Sequence, residues 1–128
     1  KEKRNNLYEL HVSGYNKIMN VPSLSGCFMF MRVSALKEVG LFDEKIFMYL
    51  EDVDLNRRLH VKYKTMFYPE VSIVHEYAKE SYKSKKLLMF HIQSAIYYFS
   101  KWGWLFDKKR DEINEKTLKE LNYKKGEK

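Results

Sequence analysis

The apolar positions of this chain fall into two patterns, short crowded runs and longer stretches at helical spacing, and together they predict a mixed helix-and-strand order. Residues 25–33 crowd Cys27, Phe28, Met29, Phe30 and Met31 into a few positions, which reads as a short buried strand. Ser34 then caps a short helix running through Val39, with Gly40 as its stop. Residues 41–49 mix Leu41, Phe42, Ile46 and Phe47 with the acidic pair Asp43 and Glu44 and keep no clean period, so a loop with inward-packed aromatics is expected. Residues 50–60 follow as a helix. Its first turn carries Glu51, Asp52 and Asp54 and its last carries Arg57 and Arg58, the charge order that the helix dipole favours. Residues 64–68 and 71–74 read as two strands parted by Pro69, which cannot donate to a ladder. From Ser84 to about Trp102, the residues Leu88, Ile92, Ala95, Phe99 and Trp102 recur at spacings of three and four and predict a long helix with one apolar stripe. Residues 111–121 suggest a last, charged helix. This order of elements indicates an α/β piece, not a helical bundle.

Composition narrows the picture without deciding it. A length of 128 residues suits one domain or part of a larger one, and 45% hydrophobic residues with 16% aromatics exclude disorder over most of the chain. Three stretches follow: a partly ordered lead-in over residues 1–24, a central part over 25–106, and a charged helix and tail over 107–128. The ends, residues 1–6 and 122–128, have little to bury and are expected to fray. The chain opens on Lys1 with no apolar run behind it, so it reads as a segment of a longer protein without a signal peptide. Its one cysteine, Cys27, excludes an internal disulfide and reads as a small buried filler, which fits a reducing, cytoplasmic setting. The net charge of +7 favours an anionic partner, whether nucleic acid, a phospholipid surface or a pyrophosphate-bearing substrate. Much of it lies in Lys83, Lys85 and Lys86 and in Lys108, Lys109 and Arg110, runs that a solvated surface also explains.

The candidate chemistry centres on Glu51 and Asp52. A carboxylate at a helix entrance can take a proton from a substrate hydroxyl while backbone N–H groups hold it in place. The same residues also serve helices as ordinary dipole partners. Asp52-Val53-Asp54 has the spacing of a D-x-D metal motif, but side chains two apart on a helix diverge and make poor joint ligands. Glu51 or Asp54 is placed to pair with Arg58 on one helix face. His75, closing the run 71–74, is either a metal or pyrophosphate contact or a satisfied polar residue at a strand end. His11, His60 and His91 show no partner and read as structural or surface residues.

Several blocks together resemble family 2 glycosyltransferases. They are Ser25-Gly26-Cys27-Phe28, Val39 to Glu44, Phe47 to Leu55 with Arg58, Tyr68-Pro69, Val74-His75 and Ser81. The closest likeness is to the rhamnosyltransferase-like branch that builds bacterial cell-surface polysaccharides. The resemblance covers residues 25–101 and implies the C-terminal portion of a GT-A fold, a mixed sheet with packed helices. It implies an inverting enzyme whose donor, a UDP- or dTDP-sugar, sits with Mg²⁺ or Mn²⁺ on an N-terminal half that this chain lacks. Residues 25–106 would then be the acceptor-binding part, and the isolated piece would be inactive. Asp52 would deprotonate the acceptor hydroxyl, with Glu51 orienting that acceptor. Phe47, Tyr49, Asp54 and Arg58 would contact substrate, and His75 would approach the metal or diphosphate. Phe42, Phe47, Tyr49, Trp102 and Trp104 are aromatic enough to face a sugar ring, though each also suits a core.

Residues 87–106 hold no acid and have the length of a membrane span, but His91, Gln93, Ser94, Ser100 and Lys101 would be costly to bury there. A core helix whose end, residues 102–110, touches an anionic membrane fits better and suits a lipid-linked acceptor at the inner face of the cell membrane. The rival reading is a non-catalytic basic module for nucleic acid, anionic glycan or membrane. Tyr, Phe and Lys interleaving supports it, but no nucleic-acid motif is present and the acidic pair would repel phosphates, so no nucleic-acid partner is expected.

Overall fold

The computed structural model describes residues 9–76 and 84–122. The expectations for Ser81, for Lys83 and for the ends at residues 1–6 and 123–128 lie outside the described residues. After a turn of 3-10 helix at His11–Ser13, the order is β1 (Met19–Asn20), α1 (Val33–Val39), α2 (Glu51–Lys62), β2 (Met66–Phe67), α3 (Lys85–Trp102) and α4 (Lys108–Glu120). The two short strands pair antiparallel, Met19 opposite Phe67 and Asn20 opposite Met66, so the composition is mixed helix and sheet.

Thr65 extends this small ladder. Its N–H donates to the Asn20 side chain at 2.9 Å, its hydroxyl donates to the Val21 carbonyl, and its carbonyl accepts from the Val21 N–H at 2.9 Å. His60, expected to lack a partner, lies 2.6 Å from the same hydroxyl. Burial there, helped by the charge of Lys116, holds its imidazole below the usual 6.5.

Helix α1 packs on α2 through Ala35, Leu55 and Leu59, with Met31, Leu36 and Val39 closing around them. Gly40 ends α1 at a φ of 89°, a left-handed conformation that glycine reaches without strain. The orphan carbonyls at that end are satisfied by Arg58 of α2, which donates to Val39, Gly40 and Leu41 at 2.7–2.9 Å. Helix α3 starts where expected, with the Ser84 hydroxyl accepting from the Leu87 N–H. Helix α4 starts earlier than its charge pattern suggested, because Asp107 caps it by accepting from the Arg110 N–H.

Four expectations are corrected. Residues 25–33 form no strand: they run irregularly into α1, Phe30 is 97% exposed and Cys27 is exposed as well. Residues 71–74 form no strand either, and Val74 is 98% exposed. In the loop 41–49 only Ile46 is buried, while Leu41, Phe42 and Phe47 face outward. The inward side of α3 centres on Ser94 and Tyr98, and Leu88 and Ile92 of the expected stripe stand about half exposed.

Candidate active site

The loop 41–50 reaches α2 through an unusual backbone. Tyr49 and Leu50 both have positive φ, 65° and 66°, a region bulky residues rarely occupy. Contacts from α3 hold this turn. The Ser94 hydroxyl donates to the Met48 carbonyl at 2.6 Å, and the His91 ring stacks on Tyr49 at 4.6 Å. Phe47 packs edge-on against Phe90. The backbone therefore turns sharply into α2 and presents Glu51 and Asp52 at its first two positions.

Between this turn and the loop before α1 lies an open groove of about 360 Å³, lined by Gly26, Phe42, Asp43, Glu44, Ile46, Phe47, Glu51 and Asp52. Asp52 is held by backbone donors alone: the Gly26 N–H reaches one carboxylate oxygen at 2.7 Å and the Val53 N–H the other at 2.8 Å. Among the described residues it makes no ion pair, so its remaining lone pairs are open to a ligand in the groove. Gly26 permits this approach, since a Cβ there would stand 3.0 Å from both the Cβ and a carboxylate oxygen of Asp52. Asn56 fixes the same junction, donating to the Leu24 and Asp52 carbonyls at 2.8 and 2.9 Å.

Glu51 differs from its neighbour. Burial raises its pKa above the usual 4.5, with the Asp52 charge adding to the rise. One of its carboxyl oxygens is buried without a hydrogen-bond partner among the described residues. Two adjacent carboxyls with unlike surroundings can divide proton-accepting and proton-holding roles.

Asp54 lies outside the groove. It is fully buried and accepts from Arg58 Nε at 2.9 Å, Trp102 Nε1 at 2.7 Å and Lys101 Nζ at 2.8 Å. Lys101 also reaches Asp43 at 2.8 Å, and the Tyr97 hydroxyl donates to Asp43 at 3.2 Å. These bonds, Lys101 foremost, hold Asp43 below the usual 3.8. Burial alone would lower the Lys101 pKa, but its bonds to Asp43 and Asp54 outweigh that and raise it. Arg58 gives four of its five N–H donors to Asp54 and three carbonyls. Asp54 and Arg58 thus tie α2 to α1 and α3, and neither is among the residues lining the groove.

Of the other expected site residues, Phe47 lines the groove, Tyr49 stacks on α3, and His75 is exposed and not part of the groove lining. Trp102 is a structural anchor, its ring 4.2 Å from the Arg57 guanidinium. No group of three or more His, Cys, Asp or Glu able to hold a metal ion forms among the described residues. Gly26, Asp43 and Glu44 were not singled out as site residues. The signal lay in the sequence blocks that contain them, Ser25 to Phe28 and Gly40 to Glu44.

Comparison with known proteins finds partial similarity to glycosyltransferases. The chain is 43% identical over 56 residues to the N-acetylglucosaminyl-diphospho-decaprenol L-rhamnosyltransferase of Mycobacterium tuberculosis (strain CDC 1551 / Oshkosh), covering 43% of this chain and 18% of that protein. It is 32% identical over 93 residues to the rhamnosyltransferase WbbL of Escherichia coli K12, covering 70% of this chain and 35% of that protein. The matched part therefore spans 18% and 35% of the length of these two relatives. The matches support glycosyltransferase kinship at the general level. No protein-family model matches the chain, and no solved structure is significantly similar to it.

Proposed function

We propose that this chain is the acceptor-side, catalytic-base portion of an inverting glycosyltransferase of the GT-A type, acting in cell-surface polysaccharide synthesis. The observation that carries the reading is the state of Asp52: groove-lining, held by two backbone N–H groups and unpaired with any cation among the described residues. In this reading Asp52 accepts the proton of an acceptor hydroxyl. The freed oxygen attacks the anomeric carbon of a nucleotide-sugar, and the nucleoside diphosphate leaves from the opposite face. Glu51 lines the groove beside Asp52 and orients the acceptor there, and Phe42 and Phe47 rim the groove where a sugar ring would rest. The donor, a UDP- or dTDP-sugar with Mg²⁺ or Mn²⁺, belongs to a donor-binding part of the enzyme beyond this chain. The acceptor is a glycan or a lipid-linked glycan.

The test is turnover by the native polypeptide that carries this sequence, assayed with a panel of nucleotide sugars. Asp52→Asn should lower turnover by at least about a hundredfold while donor binding persists. Normal turnover in that variant refutes the assignment. The basic-module alternative is disfavoured by the acidic lining of the groove, where Asp43, Glu44, Glu51 and Asp52 converge.

A further inference from the structure

Between α3 and α4, far along the chain from the groove, three large apolar residues face water in succession: Trp104 is 56% exposed, Leu105 81% and Phe106 93%. Loops between helices are ordinarily polar, and a run of this kind marks an interaction surface. The tip is held at both ends. Before it, Trp102 is bonded to Asp54 and covers Arg57, and Gly103, at a φ of 110°, ends α3 with its N–H on the Phe99 carbonyl at 2.8 Å. A Cβ at Gly103 would stand 3.0 Å from the Phe106 carbonyl oxygen, so the loop folds back tightly on itself. After it, Asp107 is buried in a two-pronged pair with Arg57 at 2.5 and 2.7 Å. The Trp104 ring leans on Phe99, 5.3 Å away. Leu105 and Phe106 are thus displayed on a braced frame.

Directly behind the tip stand Lys108 and Lys109, both exposed and in no salt bridge among the described residues. No acidic residue occurs from Leu87 to Phe106, and the whole chain carries +7. An apolar wedge with a tryptophan at its shoulder and cations behind it matches an anionic bilayer, acyl chains meeting the wedge and headgroup phosphates the lysines. No helix among the described residues is long and apolar enough to cross a membrane, so the fit is to a surface.

We infer that Trp104, Leu105 and Phe106 insert into an anionic membrane surface, with Lys108 and Lys109 on its headgroups. Flotation of the chain with vesicles of phosphatidylcholine, alone or mixed with phosphatidylglycerol, tests this. Binding should occur on the mixed vesicles and be at least about tenfold weaker on neutral ones. The double variant Leu105→Ser, Phe106→Ser should weaken binding by at least about tenfold, and Lys108→Gln with Lys109→Gln by about tenfold to thirtyfold. All four side chains are exposed, so circular dichroism should show the fold retained, and Trp104 emission should shift blue on mixed vesicles only. Absence of binding to mixed vesicles, equal binding to both kinds, or binding indifferent to the Leu105 and Phe106 changes overturns the inference. So does a dimer abolished by those changes in a chain that ignores vesicles, which would give the tip to a second copy. The groove is not involved, so transfer to a detergent-solubilised acceptor by the native polypeptide should be unaltered in the tip variant; failure of one reading leaves the other standing.

Discussion

Asp52 and Asp54 stand two residues apart in one helical turn and do opposite things. Asp54 is sealed inside and saturated by Arg58, Lys101 and Trp102, which tie α2 to the end of α1 and to α3. Asp52 touches only backbone N–H groups at the groove wall. A helix rotates successive side chains by roughly 100°, so residues two apart point to nearly opposite sides. One acidic turn thereby supplies a structural clamp on one side and a free carboxylate on the other. The strained Tyr49–Leu50 turn persists because the clamped side and α3 hold it.

The largest effect expected from breaking this contrast falls on the clamp. Asp54→Asn leaves Arg58 and Lys101 facing a neutral amide inside the protein and should cost about 3–5 kcal/mol, read from urea denaturation. Gly26→Ala would push on Asp52 instead. Crowding of that kind costs about 1–3 kcal/mol, and it should also displace the carboxylate and lower turnover. Acid sharpens the same division. Asp43, held down by Lys101, and Asp107, held down by Arg57, contribute their full stability above the usual 3.8 and lose it as pH falls through their lowered folded values. Thermal melts should therefore decline steeply below pH 3.8.

The smallest effect belongs to Glu51. Its folded pKa lies above 4.5, so the stability of its protonated form is complete below that pH and is lost as pH rises through the folded value. Glu51→Gln should then raise stability at neutral pH by less than about 1 kcal/mol, its partly buried position at the groove wall still being screened by solvent, and should change nothing near pH 4. A loss of stability at neutral pH in that variant would show Glu51 to be a clamp residue like Asp54.

The helices were legible because their signals are local. Ser84, Gly40 and the acidic first turn of α2 act within a few residues of their own positions. The pairing of Asp54 with Arg58 and the divergence of Asp52 from it follow from helical period alone. The strand expected at 64–68 survives as Met66–Phe67, but those at 25–33 and 71–74 do not, because a run such as Phe28 to Met31 has strand propensity but finds no ladder partner among the described residues. The network joining Trp102, Lys101, Asp43 and Asp54, like the pair of Arg57 with Asp107, spans 47 to 58 positions in sequence, beyond the reach of any local pattern. In the site, the carboxylate pair was visible in the sequence. Its holder, Gly26, acts through a backbone N–H, and residue type does not announce a backbone donor.

The most direct test is the rate of sugar transfer per folded molecule in the native polypeptide bearing Asp52→Asn, measured beside its urea midpoint. An amide keeps one acceptor oxygen, so one of the two backbone N–H bonds is lost, which should cost about 1–3 kcal/mol and leave the protein folded. The rate should fall by at least about a hundredfold. A variant that transfers sugar at the wild-type rate, or one that unfolds as Asp54→Asn does, would contradict the account of Asp52 as the open carboxylate of the groove.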